Sequence, residues 1–235
     1  MSEDSPTACS IQTRPPLGFG LEEVVIANVL GLLPALALGP LLGLGLVGVG
    51  AAIVYSVRFG TMSWWMLIAL SSLVVGVTLF NFTPYLGFAN YYIKWLVSSQ
   101  QRAETGSGHI CQLTTVPRLN TGFRGFLEDA DDIGVLQVQD GVITFTGDHI
   151  DVAITGSSGI SVSLRNIGAR GFWFIGRRVR IELHNHPAFQ AINIVERQSR
   201  TIRESRALGL RIFEAIDEAL RSSRDSPRIS ASENE

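Results

Sequence analysis

The chain has 235 residues, of which 46% are hydrophobic and only 17% are charged, although globular domains usually carry about a quarter charged residues. Its 19 basic and 21 acidic side chains leave a formal net charge of −2, and it has two cysteines. This composition excludes an intrinsically disordered chain, a strongly basic nucleic-acid-binding protein and a disulfide-rich scaffold. No nucleic-acid partner is therefore expected.

A long apolar stretch begins soon after the N-terminus. Val24 to Val57 contains no Asp, Glu, Lys, Arg or His. As a single helix it would be about 51 Å long, whereas the hydrocarbon core of a bilayer is about 30 Å thick. Pro34 and Pro40 are expected to interrupt such a helix. We therefore predict a first transmembrane span at residues 38–57, preceded by an interfacial segment at residues 21–36.

A second apolar segment follows after a short turn. It begins at Trp64 and Trp65, whose indole rings favour the headgroup level, and residues 64–82 are predicted to form the second span. The short turn predicts that the two helices are antiparallel neighbours. Residues 84–98 combine tyrosines, a tryptophan and a lysine on a short segment, which favours an interfacial helix over a third span. The membrane region would then cover residues 21–100.

Small residues recur at intervals of four in the first apolar stretch, at Gly31, Ala35, Gly39 and Gly43. In a helix they share one face, on which two backbones can approach closely. This face is predicted to pack onto the second span or onto another copy of the chain, unless it only reflects the abundance of small residues in apolar helices. The predicted spans contain no ionisable group of the kind that ion-coupled transporters use, which argues against transport.

The distribution of basic residues predicts an orientation. Lys94, Arg102, Arg118 and Arg124 follow the last apolar segment, whereas Arg58 alone lies in the predicted hairpin turn. The positive-inside rule places the C-terminal part in the cytoplasm, and with two spans the N-terminus lies there too. The expectation is a multi-pass protein of a bacterial-type inner membrane, with the lipid bilayer as its first partner.

Strand signals dominate the chain after an irregular linker at residues 101–134. A helical apolar stripe then extends from Glu196 to Ser222, so residues 135–222 are predicted to form one folded unit. Residues 1–20 and 223–235 are predicted to be disordered. The predicted strands, which are rich in β-branched residues and bounded by turn residues, are Val135–Gln139, Val142–Thr146, Ile150–Ile154, Ile160–Leu164, Gly171–Ile175, Val179–Leu183 and Ala191–Val195.

This order of seven strands and one helix resembles the pleckstrin-homology-like (PH-like) domains, including the GRAM and membrane-attached bacterial varieties. The segments Asp-Gly-Val-Ile-Thr-Phe-Thr-Gly-Asp (140–148) and Arg-Arg-Val-Arg-Ile-Glu-Leu (177–183) are part of the resemblance, which covers residues 133–222. It implies a mainly-β sandwich or barrel closed by a C-terminal α-helix. The expected fold class is therefore an α-helical transmembrane hairpin followed by a PH-like domain. Such domains include lipid binders and peptide binders, so the fold alone does not define a function.

Basic side chains are concentrated in the second half of the predicted β domain. Arg177, Arg178 and Arg180 form the densest group, around a strand whose alternate apolar residues are expected to face the core. Alternation then directs Arg178 and Arg180 to solvent. The cluster is predicted to contact anionic lipid headgroups or a protein partner, unless it is an ordinary solvated surface whose charges pair internally.

The sequence shows no convergent nucleophile, base or metal ligands, so no catalytic residue, metal or cofactor is predicted. Asp129 to Asp140 resembles a calcium loop only in its first acids, because Ile133 replaces an oxygen ligand. The segment His184 to His186 is expected to form a turn. We therefore predict a non-enzymatic docking or scaffold protein. The alternative is a self-associating membrane assembly or pore regulated by the β domain, and a homo-oligomer fits both.

Overall fold

The structure is a computed structural model that describes residues 9–15, 43–60, 64–82, 86–100, 108–119, 130–155, 159–166, 177–184 and 186–225. The helices within these residues are α1 (residues 43–59), α2 (Trp64–Phe82), α3 (Leu86–Gln100) and α4 (Ile202–Asp225). The strands are β1 (Cys9–Thr13), β2 (His109–Val116), β3 (Asp132–Gln139), β4 (Val142–Gly147), β5 (Ile150–Ile154), β6 (Ile160–Arg165), β7 (Arg178–Leu183) and β8 (Ala191–Glu196).

All eight described strands belong to one antiparallel sheet with the order β1-β5-β4-β3-β2-β8-β7-β6. Strands β2 to β5 form one meander and β6 to β8 a second, and the pairing of β2 with β8 joins the two. The β3–β4 turn consists of Asp140 and Gly141, whose φ values of 51° and 75° are typical of a two-residue hairpin. The described strands thus form a half-barrel, and the predicted sandwich or closed barrel is wrong.

Alternation along the strands places one row of apolar side chains on the face of the sheet that contacts α4, here called the inner face. Helix α4 packs there because its apolar residues recur every three or four positions. The resulting core includes Leu113, Leu136, Phe145, Ile181, Ile192 and Ile194 from the strands and Ile212, Ile216 and Leu220 from α4.

The local sequence patterns locate most but not all of these strands. Six of the seven predicted strands coincide with β3 to β8, and the seventh, Gly171–Ile175, lies outside the described residues. Strand β1 lies in the N-terminal segment predicted to be disordered, and β2 lies in the predicted linker. Strand β2 is buried on both faces, so it lacks the polar–apolar alternation that marks a half-exposed strand.

No helix in the described ranges combines the length and the apolar character that a membrane crossing needs. The prediction of a transmembrane hairpin at residues 38–57 and 64–82 is therefore wrong. The assignment to a multi-pass inner-membrane protein with both termini in the cytoplasm is wrong for the same reason, and so are both membrane-bound functions. Residues 21–36 lie outside the described ranges.

Helix α3 covers most of the segment at residues 84–98 for which an interfacial helix is predicted. It packs against β2 and β3 on the sheet face opposite to α4, here called the outer face, and the sheet is thus covered by a helix on each side. The buried contact is made by Ala89, Ile93 and Val97 from α3 with Ile110, Ile133 and Val135 from the strands. Asn90 also donates from Nδ2 to the carbonyl oxygen of Ser199 at 2.6 Å. Tyr91, Lys94 and Trp95, which are predicted to face lipid headgroups, are exposed on the other side of α3, and their contact with a bilayer stays a prediction.

Candidate interaction surfaces

Helices α1 and α2 form an antiparallel hairpin, as the short turn between them predicts. Gly60 follows the end of α1 with a φ of 64°, and its amide donates to the carbonyl oxygen of Ser56 at 2.9 Å. A Cβ added at Gly48 would lie 3.5 Å from Ala69 Cβ, and one at Gly45 would lie 3.8 Å from Leu73 Cα. The two helices therefore approach closely along a line of small residues.

The face of α1 that contacts α2 does not include Gly43, so the packing of the predicted small-residue face onto another copy of the chain stays a prediction. A Cβ at Gly43 would meet nothing within 4 Å, whereas Gly45, Gly48 and the buried Ala52 lie against α2. Gly31, Ala35 and Gly39 lie outside the described residues. The residues at the helix contact are thus spaced by three and four positions. They lie about half a turn around α1 from the face that contains Gly43.

The hairpin exposes large apolar side chains to an unusual degree. Sixteen of them are between 43% and 80% exposed, and α1 and α2 contain a single charged residue, Arg58. Eight are on α1, namely Leu44, Leu46, Val47, Ile53, Val54, Tyr55, Val57 and Phe59. Eight are on α2, namely Trp64, Leu67, Ile68, Leu70, Val74, Val75, Val77 and Leu79. Contiguous apolar surface of this extent is typical of an interaction site.

The predicted arginine cluster does not form one basic surface. Arg178 is only 2% exposed on the outer face of the sheet, where its Nη1 lies 3.5 Å from Thr114 Oγ1. Arg180 donates from Nε to Glu182 Oε1 at 3.1 Å, and Arg177 is exposed. Alternation gives the correct face for Arg178 but not its burial. The contact of this cluster with a headgroup or a protein stays a prediction.

The N-terminal strand is held on the sheet edge by an arginine that the sequence did not single out. The backbone amide of Arg14 donates to the carbonyl oxygen of His149 at 2.8 Å. Its guanidinium donates from Nη2 to the carbonyl oxygen of Gly147 at 2.7 Å and lies 3.0 Å from the carboxylate of Asp151. The Arg14 side chain thus binds the β4–β5 turn through the carbonyl oxygens of Gly147 and Asp148, and it also forms an ion pair with Asp151.

The same turn is fixed from inside by the buried carboxylate of Asp132. Its two oxygens accept hydrogen bonds from the backbone amides of Asp148, His149 and Ile150 at 2.7 to 3.1 Å. A side chain at Gly147 would overlap this carboxylate, so only glycine fits there. The hydrogen bond to Asp132 raises the pKa of His149, with smaller contributions from the charges of Asp132 and neighbouring aspartates, against the lowering effect of burial.

The chemistry of the described side chains provides no convergent catalytic site. Ser161 Oγ lies 3.5 Å from both His184 Nε2 and Glu182 Oε2, which is the limit of a hydrogen bond. The carboxylate of Glu182 pairs with Arg180 and not with the imidazole, so it does not orient a base as in a catalytic triad. His186 Nδ1 accepts the backbone amide of Phe189 at 3.1 Å, and the predicted turn at His184 to His186 lies partly outside the described residues.

Metal and thiol chemistry are equally poorly supported in the described ranges. They contain no group of three or more His, Cys, Asp or Glu residues that could hold a metal ion. Burial raises the pKa of Cys9 to about 11 and, together with the charge of Glu196, raises that of Cys111 well above its usual value. Both free thiols therefore stay protonated and are poor nucleophiles.

Comparison of the chain with protein-family models, with curated protein sequences and with solved structures gives no match. The two surfaces described above, the apolar hairpin and the edge that binds β1, are therefore the candidate functional sites.

Proposed function

We propose that this chain is a non-enzymatic assembly module that self-associates through the hairpin α1–α2. The observation that carries this proposal is the exposed, nearly uncharged apolar surface of the hairpin. Burying apolar surface stabilises an association by about 25 cal/mol per Å², before the costs of ordering are counted. A specific interface needs only about 800 Å² from each partner. Sixteen large, largely exposed apolar side chains supply an area of that order.

A second copy of the chain fits this surface better than a charged partner does. The face of α1 opposite to α2 contains Gly43, Val47, Gly50 and Val54, which recur every three or four residues. A Cβ at either glycine would meet nothing within 4 Å, so the face alternates open space with exposed valines. Such a surface can interlock with its own copy about a two-fold axis.

We further propose that the β-rich unit is PH-like, with β1 as an added strand. What supports this is the order β5-β4-β3-β2-β8-β7-β6 followed by α4 in the chain. It consists of seven antiparallel strands and one C-terminal helix, the same elements as in the family that the sequence resembles. In this proposal the hairpin brings several copies of the β unit together.

The test is the mass of the full chain in sedimentation velocity at micromolar concentration. The double variant Val47→Glu/Val54→Glu places charges on the exposed face of α1 and is expected to shift the protein from oligomer to monomer. Leu210→Glu is the matched control, because Leu210 is an exposed apolar residue of α4 outside the hairpin. It should leave the mass unchanged.

Three results would overturn the proposal. The first is a wild-type chain that is monomeric over the whole concentration range, and the second is a double variant that keeps the wild-type mass. The third is flotation of the wild-type chain with phosphatidylcholine vesicles without self-association in their absence. Urea unfolding followed by signals from the β unit shows whether the double variant is otherwise intact.

A further inference from the structure

Among the described strands, β1 lies at the edge of the sheet and is paired with β5, which is far from it in the sequence. The register pairs Cys9 with Ile154 and Thr13 with Ile150. These partners are more than 130 positions apart, so β1 joins the sheet as a separate extended segment. Edge strands expose unpaired backbone groups that bind such segments readily.

The contacts of β1 form a compact recognition site on residues 147–154. Cys9 is buried in the main core, and Ile11 packs partly against it. Arg14 follows the strand and binds Gly147 and Asp151 as described above. An apolar–polar–apolar strand followed by an arginine is therefore the chemistry that this edge recognises.

The acceptor edge is built without help from β1. Strand β5 is already paired with β4, and Asp132 on β3 holds the intervening turn through the amides of residues 148 to 150. The carbonyl groups that Arg14 contacts therefore point outward from a rigid turn. A preorganised edge of this kind binds an extended segment at a lower entropic cost than a flexible one.

The connection between β1 and the hairpin is long enough to serve more than one acceptor. Residues 16–42 separate the described N-terminal segment from α1. At about 3.3 Å per residue, a chain of this length can span up to about 90 Å. Among the described residues, the printed backbone pairing of β1 and the bonds of Arg14 are made with residues 147–154, so the same bonds can form with another copy.

We propose that β1 of one copy docks on β5 of a second copy, so that associated chains exchange their N-terminal strands. This inference rests on the proposed self-association, because copies held together by the hairpin present their edges to each other at millimolar effective concentration. Exchange of an identical element preserves every contact of the closed chain. It therefore adds a second link between copies at the cost of chain entropy alone.

The test uses full chains and the cross-strand neighbours Ser10 and Ala153. One copy carries Ser10→Cys, the other carries Ala153→Cys, and the two are refolded together and oxidised mildly. A disulfide-linked pair of the two variants is expected, at about ten times the yield of a control mixture of Ser10→Cys with Ser163→Cys. Ser163 lies on β6 at the opposite edge of the sheet.

The single-chain variant Ser10→Cys/Ala153→Cys shows whether the geometry permits the bond. If it closes within one chain and the mixture gives no mixed pair, strand exchange is overturned. Sedimentation of the same samples separates the two proposals: persistent oligomers leave self-association intact, whereas monomers overturn it as well.

A charge-reversal mixture keeps the proposal testable if neither disulfide forms. Arg14→Glu and Asp151→Arg each disrupt the ion pair in their own chain. Strand exchange predicts that a refolded mixture of the two has a higher urea midpoint than either variant alone, because the carboxylate introduced in one chain then meets the guanidinium introduced in the other. A midpoint equal to the mean of the separate variants would overturn it.

Discussion

The β unit and the hairpin α1–α2 are both rich in apolar residues, but only the β unit buries them. Its core residues, such as Leu136, Phe145 and Ile181, are at most 2% exposed between the sheet and α4. The large apolar residues of the hairpin are mostly half exposed or more. A sheet with a helix on each face closes its core within one chain, whereas the hairpin is covered mainly where α1 faces α2 and where α2 contacts α4.

The hairpin also differs from the β unit in where its small and large residues lie. Gly45, Gly48 and Ala52 lie at the contact between α1 and α2, and the leucines, valines and aromatic residues lie outside. Small residues bring the helices close together, but they leave most of the apolar area unburied. The difference teaches that the β unit is stabilised from within and that the hairpin is suited to bury its surface between molecules.

Truncating a phenylalanine in each region should give the largest difference between the two regions in the free energy of unfolding. Phe145→Ala removes a buried ring, which is expected to lower the free energy of unfolding by about 3–5 kcal/mol. Phe59→Ala removes a ring that is 58% exposed and should cost about 1 kcal/mol or less. Urea denaturation of the two variants measures both values. Equal losses would show that the hairpin is packed as tightly as the β core.

Adding a side chain to α1 should show which face of this helix contacts α2. Gly48→Leu forces a side chain against Ala69 and is expected to destabilise the hairpin by about 1–3 kcal/mol. Gly50→Leu, two residues along the same helix, meets nothing within 4 Å in its own chain, so it should leave the contact with α2 intact, and its effect should fall on the proposed self-association. Hydrogen exchange of the α2 amides reports the effect. Faster exchange in the Gly50 variant would place the contact on the wrong face.

The smallest effect should be a pH dependence confined to the β unit. Because the pKa of folded His149 is raised, its protonated form stabilises the fold fully below about pH 6.5, the ordinary pKa. This stabilisation is lost as the pH rises through the higher pKa of the folded state. Burial and the charge of Arg211 lower the pKa of His109, so its contribution has the opposite sign and stability falls as the pH drops below about 6.5.

The two single variants separate these contributions in urea midpoints measured across the pH range. His149→Gln should remove the loss of stability above about pH 6.5, and His109→Gln should remove the loss below it. With Trp95 and Trp173 replaced by Phe, tryptophan emission comes from Trp64 and Trp65 and should not follow either change, because α1 and α2 contain no Asp, Glu, Lys or His. A hairpin signal that titrates with the β unit would show that the two regions are coupled.

Local sequence patterns predict those elements whose structure depends on residues close together in the chain. The turn at Asp140 and Gly141, six strands from β3 to β8 and the stripe of α4 follow from turn chemistry and from periodicities of two and 3.6 residues. The pairing of α1 with α2 follows from the short connection between them. The binding of Arg14 to a turn that lies 133 residues away has no comparable local signal.

Local periodicity in the sequence shows which residues share one face of a strand or helix. The tertiary structure decides which partner covers that face. The periodicity of β7 places Arg178 opposite the core, but contacts from elsewhere in the chain bury it. The apolar character of α1 and α2 agrees equally with a bilayer, a protein core or a second chain. The two-sided burial of β2 and the pairing of β1 with β5 arise from long-range contacts. Hydropathy reflects the free energy of transferring a side chain out of water. This free energy is nearly the same whether the side chain enters a bilayer, a protein core or an interface with a second chain.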